Sequence, residues 1–297
     1  MTNILVTGSN GQVGKELQYL AKKYPTFQFT FVDVEDLDIT DANAVYDFVN
    51  GSPFNYIINC AAYTAVDKAE EYEDLVYKVN VEGAKNLAQA AVIRNIQMLH
   101  LSTDYVYNND LRRPLLETDP THPDSVYAKT KLQGDQFVQM MLPSSMIIRT
   151  SWVYSAYGHN FVKTMLRLGR ERDELGIVAD QIGTPTYAYD LAKAMLDVIA
   201  KMENGDLVSG KMQGVFHYSN EGVTHWADFA KAIFEIENID CKVNAIETKD
   251  YPTAASRPFY SVLDKTKFKE TFDLEIPHWK KSLADCLELL RGKTMNN

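Results

Sequence analysis

The chain has 297 residues, 45% hydrophobic and 24% charged, enough to bury a substantial core in one large domain or one and a half. With 30 basic against 40 acidic side chains, its formal net charge is −10, which argues against a general nucleic-acid or anionic-membrane binder, since both need basic surfaces. Cys60, Cys241 and Cys286 are odd in number and scattered, so they suggest neither a disulfide framework nor a metal cluster and fit a reducing cytoplasm.

The start "MTNILVTGSN" has no basic segment followed by a long apolar one, so no signal peptide is expected. No apolar run approaches the roughly 20 residues needed to span a bilayer. "NILVTG" reads as a buried strand, and "QVGKELQYLAKKY" as a helix with Val13, Leu17 and Leu20 on one side. "FQFTFVD" is a second strand. "DANAVYDFVN" is a helix capped by Thr40 or Asp41. "NYIINCAA" is the third strand, followed by one long helix over roughly 70–95, the strand "IQMLHLSTDY", a helix after the capping run "THPDS", and the strand "SMIIRTSW".

Beyond Trp152 the rhythm loosens. "NFVKTMLRLGRER", "DLAKAMLDVIAKM", "THWADFAKAIFEI" and "HWKKSLADCLELL" read as helices, and "LGIVAD", "GVFHYSN" and "CKVNAI" as strands. Strands apolar throughout and alternating with helices predict an α/β fold, a Rossmann-like doubly wound parallel sheet with a smaller, interleaved α/β substrate-binding lobe. The expected division is 1–150 plus roughly 183–220 for the dinucleotide-binding domain. Roughly 151–182 plus 221–297 then form the lobe.

Gly8, Gly11 and Gly14 sit where the first strand turns into the first helix. Such a turn lets the backbone approach a pyrophosphate while the helix N-terminus aims free N–H groups at it. An ordinary glycine-rich turn would look the same, but its place at the head of a doubly wound pattern favours a dinucleotide. Asp33 closes the second strand near the ~20-residue offset at which a carboxylate accepts from the adenosine ribose and repels a 2′-phosphate. No arginine follows it, so charge alone favours NADH over NADPH. Asp38 and Ile39 can flank the adenine, or Asp38 can simply hold a turn. Ala61 and Ala62 leave room for a flat ligand, or for plain close packing.

Thr103 stands at the end of the strand "LSTDY", and ligands of open α/β sheets sit outside such edges. Tyr127 and Lys131, four apart on the next helix, share a face. A lysine cation beside a phenol lowers the phenol's pKa from about 10. A threonine hydroxyl can then orient a carbonyl between phenol and nicotinamide. The set suits hydride transfer to or from a carbonyl carbon. Lys129 falls on another face and is expected in solvent.

The turn "TGSNGQVG" and the pair in "YAKTK" resemble the extended branch of the short-chain dehydrogenase/reductase superfamily, which acts on nucleotide sugars. "NCAAYTAVDKAE", "LSTDYVY", "RTSWVY", "VADQIGTPT" and "ASRPFYSVLD" are similar more narrowly to the dTDP-4-dehydrorhamnose reductase family over nearly the whole chain. The resemblance implies NAD(P)H-dependent reduction of a dTDP-linked 4-keto sugar to dTDP-L-rhamnose, feeding a cell-surface polysaccharide. It implies Tyr127 as proton donor, Lys131 as its activating partner and ribose ligand, and Thr103 as the tuning hydroxyl. It assigns cofactor contacts to Gly11, Gln12, Val13, Asp33, Asp38, Ile39, Ala62, Tyr63 and Thr64, beside Gly8, Gly14 and Ala61 of the same turns. It assigns substrate contacts to Thr103, Asp104 and Trp152, the last with lobe-junction core as its alternative. Arg257 can pair the substrate's pyrophosphate or form a structural ion pair. Some members of the family dimerise through magnesium held by glutamates. Glu16 matches one, but the second position falls near Tyr189 with Asp190 displaced by one, so no structural magnesium and no metal-dependent dimer is expected. The chain is expected to be a cytoplasmic monomer or homodimer. Two rivals remain: a dehydratase or epimerase of the same branch, although the usual Asp-Glu after the site threonine is Asp104-Tyr105 here, and a non-catalytic regulatory relative.

Overall fold

The computed structural model describes residues 1–108, 111–207 and 210–295, leaving out the side chains of 293–295. In chain order it begins β1 (Thr2–Thr7), α1 (Gln12–Leu20), β2 (Phe27–Val32), α2 (Ala42–Asn50) and β3 (Tyr56–Asn59). Then come α3 (Val66–Ala69), α4 (Glu73–Tyr77), α5 (Ala84–Arg94), β4 (Gln97–Thr103), α6 (Val126–Met141) and β5 (Met146–Thr150). The remainder is β6 (Val153–Tyr154), α7 (Phe161–Glu171), β7 (Glu174–Val178), β8 (Ile182–Gly183), β9 (Thr186–Tyr187) and α8 (Ala188–Glu203). It closes with β10 (Gly214–His217), β11 (Thr224–His225), α9 (Trp226–Glu237), β12 (Lys242–Ile246), α10 (Thr266–Phe272) and α11 (Trp279–Met295).

The parallel sheet runs β10-β5-β4-β3-β1-β2. Its strands are buried on both faces, and the two-residue side-chain period sorts them into two layers. Ile4, Val6, Ile58, Met146 and Ile148 face a core shared with α1, α8 and α10. Leu5, Ile57 and Ile147 face the opposite core, shared with α2, α5 and α6. After β2 the chain crosses back to the other side of β1 to lay down β3, and this reversal opens a crevice beyond the strands' C-terminal ends. The doubly wound architecture expected above is the one observed.

A third core forms the lobe. Tyr154, Val162, Ile177, Phe229, Ile233, Trp279 and Leu283 pack together there, with β7 and β12 paired in parallel along its edge. The lobe is tied to the sheet domain by α8 and by α10, whose Phe268 and Phe272 pack on Phe216 of β10. Burying each of those rings contributes about 2–3 kcal/mol.

Two local details differ. The long helix expected over 70–95 is present as α4 running without a break through a π-helical turn (Lys78–Gly83) into α5, which ends at Asn95 in the left-handed region (φ 52°), and a separate short α3 precedes it. Close packing accompanies the π turn. A side chain on Gly134 of α6 would lie 2.3 Å from the Asn80 carbonyl, and one on Gly83 would lie 2.6 Å from Ile39. Helix α10 was not anticipated at all, being seven residues with only Phe268 and Phe272 marking its apolar face.

Candidate active site

The crevice has two connected halves. One, about 370 Å³, is lined by Gly8, Asn10, Gly11, Asp33, Asp38, Ile39, Ala61, Ala62 and Tyr63, among others. The other, about 520 Å³, takes in Gly11, Gln12, Val13, Ala62, Thr64, Thr103, Asp104, Tyr127, Lys131 and Trp152. Asn10, Gly11, Cys60 and Ala62 border both halves.

The turn between β1 and α1 suits a dinucleotide pyrophosphate. Gly11 is the N-cap of α1 and no side chain caps the helix, whose first turn holds no acid. Its amide dipoles therefore point uncompensated at the crevice. A side chain on Gly11 would meet only the Gly8 carbonyl, at 3.2 Å, whereas one on Gly8 (φ +65°) would lie 2.6 Å from the Ala61 backbone. Gly14 lies under the turn, a prospective Cβ falling 2.5 Å from the Gly8 carbonyl, so its contribution to any cofactor is close packing rather than contact. Gln12 bridges to the lobe, donating to the Val153 carbonyl and accepting from Asn160. At the far end Asp33 accepts from the Asn10 and Val34 N–H groups, and Asp38 accepts from Thr40 N–H at 2.9 Å. Asp38 thus holds a turn while lining the same groove.

Helix α6 starts where Ser125 accepts from Ala128 N–H and Glu70 accepts from Val126 N–H. It delivers Tyr127 and Lys131 to the crevice beside Thr103, while Lys129 is exposed. Tyr127 stands edge-on to Tyr105, ring centroids 5.8 Å apart. Burial pushes its phenol well above the usual range; the Thr103 hydroxyl pulls it down, and the charges of Asp104 and Asp135 push it further up. Lys131 is 2% exposed and donates to the Leu101 carbonyl at 2.7 Å. Burial lowers its pKa to about 8, opposed by Asp135 and Cys60. The Tyr127 phenol thus sits above its free value, because desolvation outweighs what favours the phenolate. Thr103 donates to Asp104 Oδ1 at 3.2 Å, and the Asp104 carboxylate is buried. Burial raises the Asp104 carboxyl to about 7, opposed by hydrogen bonds from Ser261 and Thr103.

Trp152 forms a wall of the crevice in a left-handed conformation (φ 46°), stacked on Trp226 at 3.7 Å between centroids. Its ring covers Gly183, where any side chain would fall 2.7 Å from it. Trp152 thus serves both the site and the lobe junction. Arg257 is held apart from the catalytic set, in a neighbouring cavity of about 600 Å³ that shares Tyr105 and Trp226 with the crevice. Its guanidinium grips Asp67 through two bonds, at 2.9 and 2.6 Å, forming an ion pair. Glu16 accepts from Ser155 at 2.6 Å, and Asp190 accepts from Asn220 and Ser282.

A family model described as the RmlD substrate binding domain matches residues 1–291. The chain belongs to this family. A dTDP-4-dehydrorhamnose reductase of Aggregatibacter actinomycetemcomitans is 42% identical over 292 residues, 96% of this chain and 98% of its own. A crystal structure of such a reductase from Clostridium acetobutylicum has a TM-score of 0.91 and 43% identity, covering 98% of this chain and 100% of its own. One from Bacillus anthracis, in complex with NADP, has a TM-score of 0.91 and 37% identity, covering 97% of this chain and 100% of its own. The resemblance read from the motifs is thus to the family the chain belongs to.

Beneath this family's Tyr-Lys pair lies a buried layer that the sequence reading missed. Asn80, on the π turn, accepts from Tyr63 N–H at 2.8 Å and donates to Thr130, fixing the loop after β3. Such turns often mark functional positions, yet nothing in a helical pattern announces one. Asn59, His100, Asp135 and Arg149 are equally hidden, each buried on an otherwise apolar strand or on α6. Asp135 follows Lys131 by four residues, and that spacing was the available signal.

Proposed function

We propose that this chain uses NAD(P)H to reduce the 4-keto group of dTDP-4-dehydro-L-rhamnose, giving dTDP-L-rhamnose, with Tyr127 as the proton donor. One observation carries the reading: Thr103, Tyr127 and Lys131 border a crevice continuous with an uncapped glycine turn, in a chain of this family. The residues suit the dinucleotide, which when bound supplies the hydride. The α1 N-terminus would hold its pyrophosphate, Asp33 its adenosine ribose and Lys131 its nicotinamide ribose.

The Thr103 hydroxyl would donate to the sugar carbonyl oxygen and orient it toward Tyr127. As the carbonyl carbon gains hydride, its oxygen becomes strongly basic and takes the phenolic proton, completing a secondary alcohol. The Lys131 charge and the Thr103 hydroxyl then favour the phenolate left behind. Residues 1–150 with roughly 183–220 would hold the cofactor, and roughly 151–182 with 221–297 the nucleotide sugar. Every group named lies on one chain, which is read as a monomer or homodimer. Among the described residues no helix is long and apolar enough to cross a membrane, and the free cysteines fit a reducing cytoplasm.

The test follows NAD(P)H absorbance with dTDP-4-dehydro-L-rhamnose in the wild type and in Tyr127→Phe. Loss of the phenol should lower turnover at least ~100-fold, the scale of general acid catalysis. Near-normal turnover rejects Tyr127 as the donor. Cofactor binding without sugar-dependent oxidation would point to a regulatory relative, and conversion without net consumption of cofactor to a dehydratase or epimerase.

A further inference from the structure

Lys131 does not meet a carboxylate directly. Its ammonium lies 3.4 Å from His100 Nε2, and the same ring nitrogen lies 3.7 Å from Asp135 Oδ1. The tautomer of His100 follows from its other neighbour. Asn59 Oδ1 accepts from Thr7 and from Ala61 N–H, so the Asn59 amide nitrogen is the group facing His100 Nδ1 at 2.9 Å. An amide nitrogen only donates, so Nδ1 accepts and the neutral ring carries its proton on Nε2. That N–H lies on the side of Asp135 Oδ1, 3.7 Å away and beyond hydrogen-bond distance, and as a donor it accepts nothing from the Lys131 ammonium. Burial holds the His100 pKa well below its ordinary value, with the Lys131 charge acting in the same direction.

Asp135 is fully buried and fixed on its other oxygen, which accepts from Ser102 at 2.8 Å and from Arg149 Nε at 3.3 Å. Arg149 is anchored in turn on the Tyr107 hydroxyl. The groups that face Lys131 are therefore His100 and the Leu101 carbonyl on β4, Cys60 after β3, and Tyr127 and Asp135 on its own helix. His100 is neutral, and burial pushes the Cys60 thiol up to about 12, so it too is uncharged near neutrality. Burial pushes the Asp135 carboxyl up as well, but the charges of Arg149 and Lys131 and the hydrogen bonds from Ser102 and Arg149 oppose this and favour its anion.

We propose that Asp135 is a positioning residue of the reduction: by its charge, from across the neutral His100 ring, its buried carboxylate holds Lys131 in its ammonium form at the floor of the crevice, without closing an ion pair that would draw the ammonium away from the ligand. This rests on Lys131 having the role assigned above. A direct contact would consume the ammonium's hydrogen bonds, whereas an anion one ring away contributes charge and leaves donors free.

The experiment reads Lys131 itself in the cofactor-free protein. With [ε-13C]lysine NMR, the Lys131 resonance is assigned by its loss in Lys131→Arg. In the wild type it should titrate near pH 8, and in Asp135→Asn at least about one pH unit lower. At pH 8 the charged fraction then falls about fivefold, and the alkaline limb of kcat in the holoenzyme shifts by the same interval. Asp135→Asn leaves Arg149 unpaired and can fail to fold. Asp135→Asn with Arg149→Met removes both charges and should give the same downward shift, since Arg149 is not among the groups facing Lys131. Ser102→Ala, which keeps the carboxylate, should leave the midpoint in place. A Lys131 midpoint that stays put in the folded Asp135 variants, with only the melting temperature reduced, overturns the proposal and makes Asp135 a structural counter-ion of Arg149. Failure of the proposed reaction would instead appear as absent turnover in the wild type, whatever the lysine does.

Discussion

Replacing Asp33 by Asn tests whether one charge at the end of β2 sets the choice of dinucleotide. The carboxylate is held by Asn10 N–H at 2.7 Å and Val34 N–H at 2.9 Å, so it is aimed into the groove and cannot swing away cheaply. Among the described residues lining that half of the crevice there is no lysine or arginine to offset it. At about 5 Å and an effective dielectric of about 40, each unit of 2′-phosphate charge is disfavoured by about 1.7 kcal/mol. Salt screening at the groove mouth brings the total for a phosphate dianion to about 1–2 kcal/mol, a factor of roughly ten in preference. Asp33→Asn should therefore raise the ratio of kcat/KM for NADPH to that for NADH about tenfold. The amide keeps one acceptor, so one backbone N–H loses its partner at about 1 kcal/mol. That loss weakens both cofactors alike and drops out of the ratio. Initial rates with each cofactor, at low and at physiological ionic strength, supply the measurement, and the effect should shrink as salt rises. A relative 37% identical to this chain is in complex with NADP, which gives the test its edge. A strong wild-type preference for NADPH that survives the substitution, or a ratio unchanged within about twofold, refutes the charge argument.

Gly8→Ala should lower stability by about 3 kcal/mol or more, because φ is +65° and the new Cβ would lie 2.6 Å from the Ala61 backbone; denaturant unfolding checks this, and a loss under about 1 kcal/mol would contradict it. Asp104 makes stability pH-dependent. Its carboxyl titrates near 7 when folded against 3.8 when free, so the folded chain binds that proton more tightly and loses stability as pH rises from 3.8 through about 7. Asp104→Asn should therefore stabilise the chain by roughly 2–4 kcal/mol at pH 8 and add little at pH 4. Equal effects at both values would show that the carboxyl is not held protonated by burial.

The parts of the molecule legible in its sequence are those with strong local chemistry. The apolar strands, the glycine turn and the Tyr127–Lys131 spacing read directly, the caps were narrowed to Thr40 or Asp41 and to the run ending at Ser125, and the structure brings the pair beside Thr103. What stayed hidden depends on contacts between distant segments. The π turn at Lys78–Gly83 exists where Gly134 lets α6 approach Asn80, more than fifty positions away in the chain. The aromatic wall of Trp152 and Trp226 joins two segments of the lobe that share no pattern. Arg257 and Asp67 pair across 190 positions, which made a phosphate contact and an ion pair indistinguishable beforehand. His100 and Asp135 look like ordinary interruptions of apolar runs until the sheet stacks one over the other.

The raised pKa of Tyr127 is compatible with its assignment as a donor and sharpens it. In the reducing direction the phenol must hold its proton until the hydride arrives, and burial keeps it fully protonated throughout the working pH range. The sugar oxygen produced by hydride transfer is more basic than a phenolate, so donation runs downhill even from a weak phenol. Stabilisation is needed only afterwards, when a phenolate stands in a crevice beside Asp104 and above Asp135. That is the moment at which Lys131 must be charged, and its lowered pKa makes the charge vulnerable. The pair therefore divides the task differently from the simple expectation. Burial holds the proton in place, and the lysine, kept cationic by the charge of Asp135 across His100, accommodates the charge left when it goes.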